Sequence, residues 1–377
     1  MIIEHEQFRA TVRRFVEREI SPHVAAWDEA QGFPRGLFAQ AAEIGLLGLG
    51  YPERLGGTPG DWWLRLICME EIARAGSGGV MASLFSHNIA LPILLTNATE
   101  ELQNLVIPEV LTGQKIAALA MTEPSGGSDL ANLRSSARRM DNPYVLNGEK
   151  CFITSGMRAN WIIVAARTGG EGAGGISLFV VPGDTPGLTR TLMQKMGWWA
   201  SDTATLHFDN CHIPASHLIG QENAGFRALM ENFNGERLML SAGAVSFAQV
   251  CYDEALAWAR ERRTFGATLV QHQLIRHQLM DMRMRIEASR AWLHSMVTRL
   301  EAQEVNPAWV ADLCLLKNQA TQSMQYCADA GVQILGGSGY MRGTHCERIY
   351  RECKVMMIGG GTQEIMKELA ARQLSIG

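Results

Sequence analysis

No Cys-x-x-Cys pair, no His-x-x-x-His or His-x-His spacing and no surplus of basic residues occur in this chain. Each absence removes a class of function. The eight cysteines are scattered between positions 68 and 353, so a zinc site or a thioredoxin-type motif has no footing. A chain of 377 residues needs no disulfide staples, and reduced, mostly buried thiols in a cytosol-like compartment are expected. The net charge is −4 with 19% charged residues, which argues against a nucleic-acid binder. No apolar run is expected to reach the roughly 20 residues of a membrane span. The start, Met1-Ile2-Ile3-Glu4-His5-Glu6, lacks a basic stretch followed by an apolar one, so no signal peptide is read there. A cytoplasmic setting follows as an expectation, or the mitochondrial matrix in a eukaryote.

Hydrophobic residues make up 47% of the chain, enough for two or three domain-sized units. Residues 1–115 read as helical. Phe8, Val12, Phe15 and Val16 recur at helical spacing, as do Leu37, Ala41, Ile44 and Leu47. Residues 116–218 change character. Short runs around Val145, Phe152, Ile162–Val164, Ile176–Val181 and Thr203–Phe208 predict an antiparallel β-domain. Asn147-Gly148 between two runs predicts a hairpin turn. Residues 219–377 return to helical period. Ile275, Leu279, Met282, Ile286, Leu293, Met296 and Leu300 mark one face of a long helix. Asn306-Pro307 reads as a helix start. Three helices of about 30 to 40 residues and a shorter fourth would form an antiparallel bundle.

Four segments carry candidate chemistry. Ala118–Asp129 reads as a strand entering a tight turn. Such a turn presents backbone N–H groups and the Thr122 and Ser128 hydroxyls to a polar ligand edge or phosphate, although an ordinary Gly/Ser/Pro loop has the same composition. Cys151-Phe152-Ile153-Thr154-Ser155-Gly156 follows; taken alone, Phe152 suits a core aromatic. Arg262-Arg263-Thr264-Phe265-Gly266 with Gln271-His272-Gln273 joins two long helices. Its guanidinium groups suit a phosphate, or simply a solvated helix end. Gln333–Tyr340 holds glycines that allow close backbone approach, and it also suits a helix C-cap. Gly170–Gly175 fits G-x-G-x-x-G in form. It opens no helix, so it is read as an inter-strand loop rather than a dinucleotide site.

In combination and order these segments resemble the signatures of acyl-CoA dehydrogenases, over residues 4 to 375. The resemblance implies an α+β fold: an N-terminal helical domain, a middle antiparallel β-domain and a C-terminal four-helix bundle. It also implies FAD, an acyl-CoA substrate, a homotetramer and an electron-transfer flavoprotein as oxidant. Leu119, Met121, Thr122, Ser128, Phe152 and Thr154 would contact the flavin, with Phe152 against the isoalloxazine. Arg262, Phe265, Gln273, Gln333 and Gly337 would reach the flavin of a neighbouring subunit, and Thr362 and Glu364 would help hold it. Ser128, Asn234, Arg237 and Gly361 match positions near the substrate.

Ile358–Ile365 resembles the family's Tyr-Glu-Gly-Thr segment, whose Glu is the catalytic base in many members. That position is Gly360 here. The family's second place for the base is a Glu-Arg-Leu on a long helix, matched by Glu236-Arg237-Leu238. The resemblance is therefore to the long-chain and isovaleryl type. It implies α,β-dehydrogenation to the trans-2-enoyl-CoA, with Glu236 removing the α-proton and flavin N5 taking the β-hydride. The Gly360 N–H would face the thioester oxygen. Glu364 is the rival base, and an exposed, ion-paired helix glutamate is the plain alternative for Glu236. Glycines 359 to 361 suggest room for a branched, bulky or long chain, with Leu84, Ile89 and Leu91 near the pocket floor. A flavin oxidase and a non-catalytic acyl-CoA-binding protein are the competing functions.

Overall fold

The computed structural model describes residues 3–376; Met1, Ile2 and Gly377, which belong to the terminal stretches read above, lie outside it. The helical spacing near the N-terminus is realised in α1 (Ile3–Phe15), where Val12 and Phe15 turn inward. A π-turn over Val16–Ile20 follows, then α2 (Val24–Glu29), α3 (Gly36–Glu43), α4 (Trp62–Ala73), α5 (Gly78–Leu84), α6 (His87–Asn97) and α7 (Glu100–Leu111). Side-chain caps start several of these: Asp61, Ser77 and Thr99 each accept an N–H from three residues on.

One expectation fails in this region. Gly78–Asn97 is a 20-residue stretch long and apolar enough, by length and composition, to span a membrane. It breaks at Phe85–Ser86 into α5 and α6, and most of it is buried inside the fold. Its polar residues, which hid the run from view, bond internally. The Ser83 and Ser155 hydroxyls lie 2.9 Å apart, Ser86 Oγ donates to the Ala117 carbonyl, and His87 Nε2 lies 2.9 Å from the Leu47 carbonyl.

The middle of the chain forms an eight-stranded sheet from β1 (Ala117–Ala120), β2 (Ser136–Arg139), β3 (Pro143–Thr154), β4 (Trp161–Arg167), β5 (Ile176–Pro182), β6 (Leu188–Leu192), β7 (Thr203–Pro214) and β8 (Leu218–Ile219). The order is β6-β7-β3-β2-β4-β5-β8, with β1 beside β4. Most pairs are antiparallel, whereas β4 pairs in parallel with β1 and β2. Asn147-Gly148 is not the predicted turn. β3 passes straight through it, and the register against β7 shifts between Leu146 and Gly148. The pair instead makes a bulge: Gly148 has φ +141°, and a Cβ there would meet Ser135 Cα at 2.6 Å. The turn from β2 to β3 falls at Met140–Pro143.

The remaining elements are α8 (Gly225–Glu261), a two-stranded hairpin of β9 (Arg263–Thr264) and β10 (Ala267–Thr268), α9 (Gln273–Glu301), α10 (Pro307–Leu335), α11 (Gly337–Tyr340), α12 (His345–Ile358) and α13 (Gln363–Gln373). Asn306 caps α10 as expected, accepting from the Trp309 N–H. The long helices are 37, 29 and 29 residues, so two fall just short of the expected length, and the C-terminal end is divided between α12 and α13. The apolar faces of α8, α9 and α10 meet in one core through Ala242, Phe247, Met282, Ile286, Leu316 and Met324.

Candidate active site

α8 runs 37 residues without proline, and Leu229, Phe233, Leu238 and Val245 bury one side of it. Glu236 lies on this helix, enclosed by protein yet keeping some accessible surface. Burial pushes its carboxyl up from 4.5 to about 7, against the opposing pull of the Arg237 and Lys317 charges. Arg237 is buried; its Nη1 donates to Asn234 Oδ1 at 3.2 Å and its guanidinium lies over the Phe233 ring.

α12 delivers the glycine segment to the same place. A Cβ on Gly360 would lie 3.8 Å from Glu236 Oε1 and 2.8 Å from Leu240 Cδ1. Gly360 and Gly361 have φ of +67° and +110°, a conformation open to glycine and strained for other residues. Gly359 has φ −62° and needs no such freedom. Two buried cations hold the segment. Arg237 Nε donates to the Gly360 carbonyl at 3.2 Å, and Lys317 Nζ donates to the carbonyls of Met357 and Gly361. The Gly360 N–H donates to no acceptor among the described residues and is free to serve a ligand.

The first signature turn leaves β1 toward β3. Leu119 is buried, Met121 and Thr122 are half-buried, and Ser128 is exposed. The Cys151 N–H donates to the Thr122 carbonyl at 2.9 Å, tying the turn to β3. Beneath it lies a buried ion pair. Lys150 Nζ sits 2.7 Å from Glu123 Oε1 and also donates to the Met121 carbonyl. Glu123 further accepts the backbone N–H groups of Arg134 and Ser135, and its carboxyl is held below the usual range despite burial. Phe152 is no core aromatic. It is 64% exposed with φ +61°, an apolar ring held out from β3 in a strained conformation beside half-buried Thr154.

Arg262, Phe265, Gln273, Gln333 and Gly337 are all exposed, and Phe265 fully so at the tip of the β9–β10 hairpin. They lie elsewhere. Arg262 follows Glu236 by 26 positions along α8, roughly 39 Å at the helical rise. α8 and α10 run in parallel, with Cys251 beside Gly331, so Gln333 and Gly337 belong to the hairpin's end of the bundle. The fold brings Glu236, Gly360, Arg237 and Asn234 together, and it separates them within one chain from the hairpin residues.

Profiles of the acyl-CoA dehydrogenase N-terminal, middle and C-terminal domains match residues 3–114, 118–211 and 223–375. The chain belongs to the acyl-CoA dehydrogenase family. It is 37% identical to the mitochondrial long-chain specific acyl-CoA dehydrogenase of Sus scrofa over 375 residues, 98% of this chain and 86% of the relative. Isovaleryl-CoA dehydrogenase of Oryza sativa subsp. japonica is 33% identical over 374 residues, 98% and 90% of the two chains. The solved acyl-CoA dehydrogenase of Geobacillus kaustophilus superposes with a TM-score of 0.95 at 34% identity, covering 99% of this chain and 98% of that one.

As an acyl-CoA dehydrogenase the protein is a flavin-dependent oxidoreductase acting on acyl-CoA, with FAD as its cofactor. The residues present fit that group. Beside the first turn a Cβ at Gly127 would meet only Thr122 Cγ2, at 3.6 Å, so the backbone there can be approached, and the outward-held Phe152 offers an aromatic face. The rival base Glu364 is exposed at the start of α13, where backbone N–H bonds and Thr362 lower its carboxyl below the usual range. Thr362 caps the same helix, accepting the Ile365 N–H. Sequence reasoning missed Lys317 and the Glu123–Lys150 pair. The signal for Lys317 was a lysine directly after the apolar run Leu313-Cys314-Leu315-Leu316, on a helix whose neighbours are buried.

Proposed function

We propose that this acyl-CoA dehydrogenase uses Glu236 as the base that removes the α-proton of a medium- or long-chain or branched acyl-CoA. The observation that carries this reading is the 3.8 Å between Glu236 Oε1 and a Cβ at Gly360, the position of the family's alternative base. A carboxyl raised to about 7 is half ionised near neutrality, which suits proton abstraction from a weak carbon acid. The Gly360 N–H donates to the thioester oxygen as negative charge develops there. Asn234, Arg237, Ser128 and Gly361 line the approach of the CoA thioester. Leu119, Met121, Thr122, Ser128, Phe152, Thr154, Thr362 and Glu364 hold the flavin of their own chain. When bound, FAD supplies the hydride acceptor for the β-carbon, and the product is the trans-2-enoyl-CoA.

Arg262, Phe265, Gln273, Gln333 and Gly337 belong in this reading to the flavin site of a second copy. Their placement about 39 Å along α8 from Glu236 supports a shared site, hence at least a dimer and, with the family resemblance, a homotetramer. Electrons pass on to an electron-transfer flavoprotein. The working units in this reading are 1–115, 116–218 and 219–377: helices stop at Leu111, strands start at Ala117 and α8 starts at Gly225, while β8 runs one residue past the second boundary, to Ile219. All eight thiols are free and buried, which suits a reducing cytoplasm or matrix.

The test is the visible spectrum of the purified protein under nitrogen, titrated with octanoyl-, palmitoyl-, isovaleryl- and citronellyl-CoA. Bleaching of the flavin band by one of them is expected and names the chain class. A band that shifts without bleaching removes Glu236 from its role.

A further inference from the structure

Lys317 lies inside α10, and none of its surface reaches solvent. An ammonium in such a place is costly unless its donors are used. No carboxylate pairs with it among the described residues; two carbonyls do. Its Nζ donates to Met357 O at 3.0 Å and to Gly361 O at 2.6 Å. Met357 is in the last turn of α12, where a cation also complements the helix dipole. Gly361 is the last glycine of the segment. One ammonium thus pins both ends of the span that contains Gly360. The neighbouring Asn318 extends the grip, its Nδ2 donating to the Gln363 carbonyl at 2.9 Å.

We propose that Lys317 is a positioning residue for the reaction: its ammonium clips Met357 to Gly361 and so keeps the Gly360 amide in register with the Glu236 carboxylate. The proposal rests on Glu236 being the base. The charged and titratable groups facing Lys317 are Glu236 and Arg237 on α8, Cys314 on its own helix and Glu364 on α13. The coupling to Glu236 is mutual. Glu236 raises the Lys317 pKa against a larger lowering by burial, and Lys317 lowers that of Glu236. The ammonium therefore acts on the base through its charge and on the Gly360 amide through its two contacts, and the two effects are separable by substitution.

The experiment measures the anaerobic rate of flavin bleaching against pH for the FAD-loaded wild type and for Lys317→Met, Lys317→Gln and Lys317→Arg. The substrate is whichever acyl-CoA bleaches the wild type, at saturation. Lys317→Met and Lys317→Gln are expected to bind FAD, to bleach roughly ten- to a hundredfold more slowly at neutral pH, and to show the acid limb at higher pH. Loss of the positive charge removes one of the two influences that favour the ionised carboxylate. Lys317→Arg keeps the charge but not the two contacts, so its limb stays in place while its rate drops. Should the neutral variants fail to fold, the arginine variant decides, and a wild-type rate in it overturns the proposal. Neutral variants that fold, bind FAD and bleach at the wild-type rate overturn it equally. A wild type that no acyl-CoA bleaches brings down the assignment of Glu236 instead, so the two failures are distinct.

Discussion

Gly360 faces Glu236 across the start of α8: a side chain at 360 would begin 3.8 Å from Glu236 Oε1. Two positions far apart in sequence therefore point into one space, and in the proposed reading the Glu236 carboxylate serves there as the base. Glu236→Gln keeps the shape and removes the base. The variant should bind FAD and lose bleaching by acyl-CoA by roughly a thousandfold or more. Stopped-flow absorbance under nitrogen measures it, and near wild-type bleaching would sink the assignment.

Moving the base to 360 should rescue poorly. Leu240 Cδ1 occupies the path, 2.8 Å from a Cβ at Gly360, and φ of +67° costs a non-glycine residue about 1–2 kcal/mol. Gly360→Glu in the Glu236→Gln background is expected to recover only a small part of the rate. Adding Leu240→Ala should recover more, because the methyl that blocks the new side chain is gone. The same bleaching assay compares the three variants. A full rescue without the Leu240 change would contradict the packing argument.

The Glu236 carboxyl, raised from 4.5 to about 7, makes two predictions of opposite sense. Activity rises with pH, since the base must be ionised, so bleaching at substrate well below saturation should show an acid limb near 7. Stability moves the other way. Between pH 4.5 and 7 the unfolded chain releases this proton while the folded chain keeps it, so the stabilising contribution is lost across that window. Glu236→Gln should therefore unfold at higher temperature than wild type at pH 8 and at about the same temperature at pH 4. At roughly 1.4 kcal/mol per pH unit the gain is at most about 3–4 kcal/mol, less where solvent reaches the carboxyl. Glu352, likewise buried and raised to about 7, is unchanged in both proteins and cancels from the comparison.

Much of this was legible in the residues. The helical spacing around Val12 and Ile286, the Asn306 cap and the vacancy at Gly360 carried the fold and the candidate base. The failures have physical causes. Asn147-Gly148 has turn chemistry, but pairing with β7 and the closeness of Ser135 made it a bulge. Phe152 looked like core because composition does not report which way a strand residue faces when its φ is positive. Glycines 359 to 361 suggested open space, yet Leu240 has moved into the part beside Gly360 and Met366 Cε into the part beside Gly361. The role of Lys317 was not legible, although its place beside an apolar run was, because its partners are backbone carbonyls and a carbonyl leaves no mark in a sequence.

Lys150 and Glu123 support the turn that carries Met121 and Thr122, and the pair is buried on both sides. Removing one partner strands the other charge, at a cost of about 3–5 kcal/mol. Lys150→Met should lower the denaturant midpoint and weaken FAD binding, since the turn keeps only the Cys151 N–H to Thr122 carbonyl bond as its link to the strand bearing Phe152. The double variant Lys150→Met/Glu123→Leu should regain much of the stability with less of the cofactor affinity. Chemical denaturation and the ratio of flavin to protein absorbance separate the two effects. Equal recovery of both would mean that the pair stabilises the sheet without shaping the flavin turn.

Gly359 differs from its neighbours in being replaceable. With φ −62° its backbone suits any residue, and a Cβ there meets only the Val355 carbonyl at 3.2 Å, a contact relieved by a shift of a few tenths of an ångström. Gly360 and Gly361 are glycine by conformation and by contact, so only Gly359 is free to set the width of the site. Tyrosine is the residue that the resembling segment carries there. Gly359→Tyr should fold, bind FAD and still bleach with octanoyl-CoA. Its kcat/KM for isovaleryl-CoA relative to octanoyl-CoA should fall by roughly tenfold or more, because the ring takes the space of a branch methyl. Unchanged selectivity in a folded variant would place the chain-shape filter elsewhere, beginning with Leu240, whose truncation should then alter the ratio instead.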